Sequence, residues 1–250
     1  MNWKPAIVLA IAACAAAATA PRSETVTIKT VDGKGADATV DSGRKDEKLG
    51  RDKSLRVKFS TAAQRKAYIR FDLSLLKGRK AKAARLTLEI DTENTGLIRD
   101  WTYNVIGLRE AASYGQGKLG EDWDETEITY ANAPGNDPKS GGGEVDEKSG
   151  KYGGVLKDYA IPLGTFKIAA GKRDRYGFTS QALADFVNAD TNKMITLVIT
   201  RVDNHTDVIG FAGKEGGKYQ PPTLEMTIEP DSSKPAAKAP PSRPAKPPVN

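Results

Sequence analysis

Residues 66–74 read Lys-Ala-Tyr-Ile-Arg-Phe-Asp-Leu-Ser. Ile69, Phe71 and Leu73 alternate with Tyr68, Arg70 and Asp72, and a period of two places successive side chains on opposite faces of a β-strand. The pattern recurs at Val26 and Ile28, at Leu55, Val57 and Phe59, at Leu86, Leu88 and Ile90, and at Leu224, Met226 and Ile228. Ile195, Leu197 and Ile199 alternate with Thr196, Val198 and Thr200, which predicts a strand buried on both faces. Weaker strand patterns lie at 103–108, 128–131, 159–163, 175–178 and 207–212. One short helix is predicted over 180–188, where Ala182, Leu183 and Phe186 share a face and Thr179 or Ser180 caps the start. Short strands separated by Gly-, Asn- and Asp-containing breaks, with no βαβ rhythm, predict an all-β fold. The expected form is an antiparallel two-sheet β-sandwich, or jelly roll, with one short helix.

Composition narrows the function. The chain has 250 residues, 38% of them hydrophobic and 28% charged, with one Cys and one His. A single cysteine excludes a disulfide framework and a cysteine-built zinc site, and a single histidine excludes a multi-histidine metal centre. Lys and Arg number 38 against 32 Asp and Glu, a formal charge of +6. Much of that excess sits in the two ends of the chain. The middle is close to neutral and gives little ground for nucleic-acid binding.

The ends read as processing and linker segments. Residues 1–20 carry Lys4, an apolar run over 6–18 and the sequence Ala18-Thr19-Ala20, the parts of a secretory signal peptide. The run is shorter than the roughly 20 apolar residues a transmembrane helix needs. Cleavage after Ala20 yields a cysteine-free chain that is secreted, periplasmic or on a bacterial cell surface. A second reading takes Ile11-Ala12-Ala13-Cys14 as a lipobox with a lipid anchor on Cys14. Residues 230–250 hold half of the 14 prolines together with Lys234, Lys238, Arg243 and Lys246, and are expected to form a disordered, extended tail. The folded domain is expected to run over 21–229. Within it, residues 109–122 and 134–157 are Gly-rich loops, and 139–151, which lacks an apolar anchor, is expected to be disordered.

Several stretches, in order, resemble one known family. Residues 66–74 resemble the R-x-Y-L-R-F-D-L-S strand of the DNRLRE-type domains, also classed as carbohydrate-binding module family 96. Residues 81–90 are similar to its I-x-S-A-x-L-x-L strand, and Asp37-Ala38-Thr39-Val40 to its opening D-A-Y-V. Residues 122–134, Asp-Trp-Asp-Glu-Thr-Glu-Ile-Thr-Tyr-Ala-Asn-Ala-Pro, resemble its W-x-E-x-x-I-T-W-x-N-x-P signature. Gly213-Lys214-Glu215 with Pro222-Thr223-Leu224 looks like its closing S-R-E … R-P-x-L. Tyr130 replaces the second Trp, Gly213-Lys214 replaces Ser-Arg, and the naming hexapeptide is absent, its nearest echo being 52–56. The resemblance implies a β-sandwich module of secreted or surface bacterial proteins, some of which bind acidic polysaccharide such as alginate.

Three groups of residues are candidates for binding. Trp123 lies in an acidic run over 121–127 and Tyr130 follows it, while Trp101 and Tyr103 follow a hydrophilic turn. An aromatic ring stacks on the apolar face of a sugar while carboxylates and amides take its hydroxyls. The competing reading makes Trp123 and Tyr130 pins of a core or loop, leaving Trp101 the better candidate for an exposed platform. Arg56, Lys58 and Arg70 belong to a cation-rich stretch over 44–85. Pointing outward from neighbouring strands they would form a stripe for carboxylate or sulfate groups; the alternative is charge that protects strand edges from aggregation. Asp32, Asp37, Asp124 and Glu125 supply hard oxygens for a structural calcium ion, or are solvated loop acids.

His205 lies in a turn over 202–206, and no nucleophile-elbow motif occurs, so catalysis is not expected. The sequence leads to an exported, non-catalytic β-sandwich that binds extracellular, anionic polysaccharide. Its rival is a structural or adhesive cell-envelope protein whose surface and tail dock on protein or matrix neighbours.

Overall fold

The computed structural model describes residues 23–91 and 98–228. Residues 1–20, read above as a signal peptide, Cys14 among them, the Pro-rich tail and part of the turn before Trp101 lie outside the described residues. Among the described residues the strands are β1 (Glu24–Lys29), β2 (Ala36–Asp41), β3 (Ser54–Phe59), β4 (Gln64–Asp72), β5 (Ala81–Glu89), β6 (Trp101–Leu108), β7 (Val145–Asp146), β8 (Lys151–Tyr152), β9 (Ala160–Ile168), β10 (Arg175–Thr179), β11 (Met194–Arg201), β12 (His205–Ala212) and β13 (Thr223–Ile228). One helix, α1 (Gln181–Ala189), joins β10 to β11. No helix among the described residues is long and apolar enough to cross a membrane.

The architecture is the antiparallel β-sandwich that the alternation predicts. One sheet runs β1-β13-β5-β10, and the other runs β12-β3-β4-β11-β6-β9 with β2 also paired to β4. Glu24 of β1 lies opposite Ile228 of β13, so the two ends of the domain lie side by side in one sheet. The core between the sheets takes Ile28, Leu55, Ile69, Phe71, Leu86, Leu197 and Met226. Leu183, Phe186 and Val187 of α1 join that core, and Ser180 Oγ accepts the Leu183 N–H at 3.0 Å as the predicted N-cap.

The larger sheet is covered on its second face as well. Trp123, Ile128, Tyr130 and Val155, from the segment between β6 and β9, pack on Ala38, Val40, Tyr68, Ile106 and Val198. The predicted double burial of β11 follows, with Ile195, Leu197 and Ile199 in one core and Val198 in the other. The same holds for β4. Ala67, Ile69 and Phe71 face the main core, whereas Lys66, Tyr68 and Arg70 are buried under the covering segment. The period of two therefore separates two buried environments here, instead of separating core from water.

Three local expectations change. Residues 128–131 are turn and irregular backbone, because Ile128 and Tyr130 anchor the covering layer and pair with no strand. Residues 36–41 form β2, which pairs with β4 from Ala36 opposite Arg70 to Asp41 opposite Arg65. Residues 139–151, expected to be disordered, include the small β7–β8 hairpin; Gly143 N–H donates to Arg201 O at 2.9 Å, and Gly141 and Gly142 are buried. The anchors there are backbone groups, which an apolar pattern does not reveal. Close backbone approach explains Gly50, where a Cβ would fall 1.7 Å from the Glu125 carbonyl oxygen.

Candidate functional site

The signature segment over 122–134 is held from β4 and β11. Arg70 Nε donates to Lys34 O at 2.9 Å and Nη1 to Trp123 O at 2.6 Å, with the guanidinium 5.1 Å from the Trp123 ring centroid. Trp123 Nε1 donates to Thr196 Oγ1 at 3.1 Å, and the ring meets Tyr68 edge-on. Burial lowers the Arg70 pKa against the pull of Asp122, Glu125, Asp124 and Asp72. Arg70 is 8% exposed and Trp123 1%, so neither presents a surface to a polysaccharide. This corrects the outward placement of Arg70: its guanidinium is bonded to one backbone carbonyl of the β1–β2 turn and one of the layer above it.

Tyr130 is also a pin. Its hydroxyl donates to Gln64 Oε1 at 2.8 Å, and its ring lies 5.4 Å from Lys66 Nζ. The Lys66 ammonium is fully buried and donates to Asn136 Oδ1 at 2.6 Å, Ser140 O at 2.8 Å, Asp137 O at 3.1 Å and Gly154 O. Burial pulls its pKa down to about 7, with Asp137 acting upward and Lys118 downward. Sequence reading counted Lys66 with the cation-rich surface stretch and missed its burial. Its position on the same strand face as Tyr68 and Arg70 was the available signal.

Trp101 and Tyr103 are fully buried. The Trp101 ring lies 4.4 Å from the Arg201 guanidinium, and Tyr103 stacks on Phe166 at 5.1 Å. Both begin β6 with their rings in the core between the two sheets, which overturns the exposed platform. Arg201 was also missed. Its guanidinium donates to Asp203 O at 2.9 Å, Asp207 O at 2.6 Å, Phe59 O at 3.0 Å and His205 O, closing the β11–β12 turn.

The four acids named for calcium do not converge. Asp32 Oδ2 accepts the Lys29 N–H at 2.7 Å, and Asp124 Oδ1 accepts both the N–H and hydroxyl of Thr126, which hold its pKa down. Asp37 accepts Thr30 Oγ1 at 2.6 Å and the Lys214 N–H; Glu125 meets the Lys214 ammonium at 2.6 Å. Lys214 therefore serves both Asp37 and Glu125. Burial pushes the Asp37 pKa up to about 7 against the hydrogen bonds from Thr30 and Lys214. Among the described residues no three His, Cys, Asp or Glu side chains are arranged to hold a metal ion.

Arg56 and Lys58 remain at the surface of β3. The Arg56 side chain is 29% exposed, with Asp52 as its ion-pair neighbour at 3.9 Å. Lys58 is half-buried opposite Arg65, whose Nε is held by Asp41 at 2.7 Å. Arg51 and Lys53, just before β3, are exposed.

A search of the curated proteins returns no match to the chain. Residues 29–150 match the model of carbohydrate-binding module family 96. The matched span holds strands of both sheets, but β13, which separates β1 from β5, and β11, which separates β4 from β6, lie beyond it. With its signature residues pinning the covering layer to the larger sheet, the chain carries a domain like those of carbohydrate-binding module family 96.

Proposed function

We propose that the protein is an exported, non-catalytic module that binds anionic extracellular polysaccharide, its domain at 21–229 lying between a cleaved leader and an extended tail. The family match supports carbohydrate as the ligand class. The observation that carries the anionic reading is the group of cations at and before β3: Arg51 and Lys53 are exposed, and Arg56 and Lys58 are partly so. Guanidinium and ammonium groups pair with carboxylate or sulfate, and salt screens such surface pairs.

Affinity electrophoresis in alginate, pectate or a sulfated glycan tests this at low and moderate salt. The wild-type protein is expected to be retarded, with retardation weakened by salt and by Arg56→Ala combined with Lys58→Ala. No retardation by any acidic glycan sinks the reading. New reducing ends or unsaturated uronate products would overturn the non-catalytic part.

A further inference from the structure

We infer that a cleft beside β9 is a second polysaccharide contact that seats one uronate ring, an inference that rests on the polysaccharide reading above. The cleft has a volume of about 380 Å³ and is lined by Arg109, Glu147, Tyr152, Lys157, Asp158 and Pro162, among others. Ligand clefts are commonly in the range of roughly 300–1,000 Å³.

Tyr152 is the ring platform. It is half-buried, packs in part against the second core and closes the β7–β8 hairpin opposite Val145, so it is fixed from behind while lining the cleft. A tyrosine gives a flat apolar surface for a pyranose face at little cost in side-chain entropy.

Arg109 and Lys157 recognise the carboxylate. Both are exposed, and among the described residues neither is ion-paired. Their backbone is nevertheless anchored. Arg109 N–H donates to Tyr159 O at 2.8 Å and its carbonyl accepts the Tyr114 hydroxyl at 2.9 Å. Lys157 starts a short 3-10 turn whose preceding residue, Leu156, donates to Gly135 O at 2.8 Å. Unpaired cations on fixed backbone favour an anion at low ordering cost. Glu147 and Asp158 add carboxylate acceptors for sugar hydroxyls. Aromatic ring, two cations and two acceptors are the complement of a uronic acid.

The cleft is separate from the β3 cations. Four strand spacings divide β9 from β3 in the larger sheet, roughly 19 Å at ~4.8 Å each. Substitutions that far apart are expected to act independently.

The test is affinity electrophoresis in alginate and in polygalacturonate, with dextran as the neutral control, on the full chain and on Arg109→Ala, Lys157→Ala and Tyr152→Ala. Each variant is expected to weaken retardation at least fivefold. Arg109→Ala and Lys157→Ala are expected to melt as the wild type does, which covers the case in which Tyr152→Ala loses packing. Unchanged retardation of both cation variants, with the wild type retarded, overturns the cleft and leaves the broader reading standing. Wild-type retardation in dextran equal to that in alginate overturns the uronate assignment. No retardation of the wild type by either acidic glycan overturns both.

Discussion

Arg70 and Trp123, 53 positions apart, are joined twice: Arg70 Nη1 lies 2.6 Å from the Trp123 carbonyl oxygen, and its guanidinium lies 5.1 Å from the indole centroid of the same residue. One side chain therefore fastens both the backbone and the ring of the signature tryptophan to β4. The residues that make the signature recognisable hold a layer in place.

Arg70→Ala leaves the Trp123 and Lys34 carbonyls without donors and is expected to destabilise the fold by about 2–4 kcal/mol. Arg70→Lys keeps the charge but loses the two-pronged geometry, so it falls between the alanine variant and the wild type. Urea denaturation measures both. The folded fraction of either variant should bind acidic glycan as the wild type does.

Lys66→Met removes the donor shared by Asn136, Asp137, Ser140 and Gly154. Several buried acceptors lose their partner at once, so a loss of roughly 3 kcal/mol or more is expected. Hydrogen exchange should accelerate over 136–155 and stay slow in β5 and β13. Uniform acceleration across the domain would instead mean that Lys66 supports the whole fold.

Asp37 sets a pH dependence of unusual sign. Its pKa rises from 3.8 to about 7 on folding, so the folded state holds a proton that the unfolded state has lost between those values. Its contribution is complete below pH 3.8 and disappears as pH rises through 7, an effect on the order of 4 kcal/mol. Asp37→Asn mimics the protonated carboxyl. The stability of the wild type relative to this variant should fall between pH 4 and pH 7, read from denaturation midpoints in that range.

Ser180→Ala tests the helix cap. Ser180 Oγ accepts the Leu183 N–H and donates to Leu163 O at 2.9 Å, tying α1 to β9. A loss of about 1 kcal/mol is expected for the cap, plus a smaller amount for the tie. The melting temperature should drop without a change in glycan binding.

Much of the fold was legible in local pattern. Alternation located β1, β3, β4, β5, β11 and β13, and the apolar spacing with a Ser start located α1. β2 escaped because its six residues are all buried, and Asp37, Thr39 and Asp41 lack the apolar signature of a buried strand. Arg56 and Lys58 lie at the surface of β3, whereas Trp101, Tyr103, Trp123 and Tyr130 do not. An aromatic residue beside a polar loop has the same local sequence whether it faces water or a second layer.

The sequence by itself determined a two-period, helix-poor chain, because side-chain alternation is a property of each strand alone, and the lack of a βαβ rhythm pointed to antiparallel pairing. It also determined the order of the motifs that resemble the family. Only the tertiary structure decided what lies over the polar face of β4. Lys66 and Arg70 would be solvated on an uncovered sheet, and they are buried because carbonyl groups 53 to 88 positions away fold back onto them. Backbone carbonyls carry no residue identity, so no side-chain pattern announces where they will meet a cation.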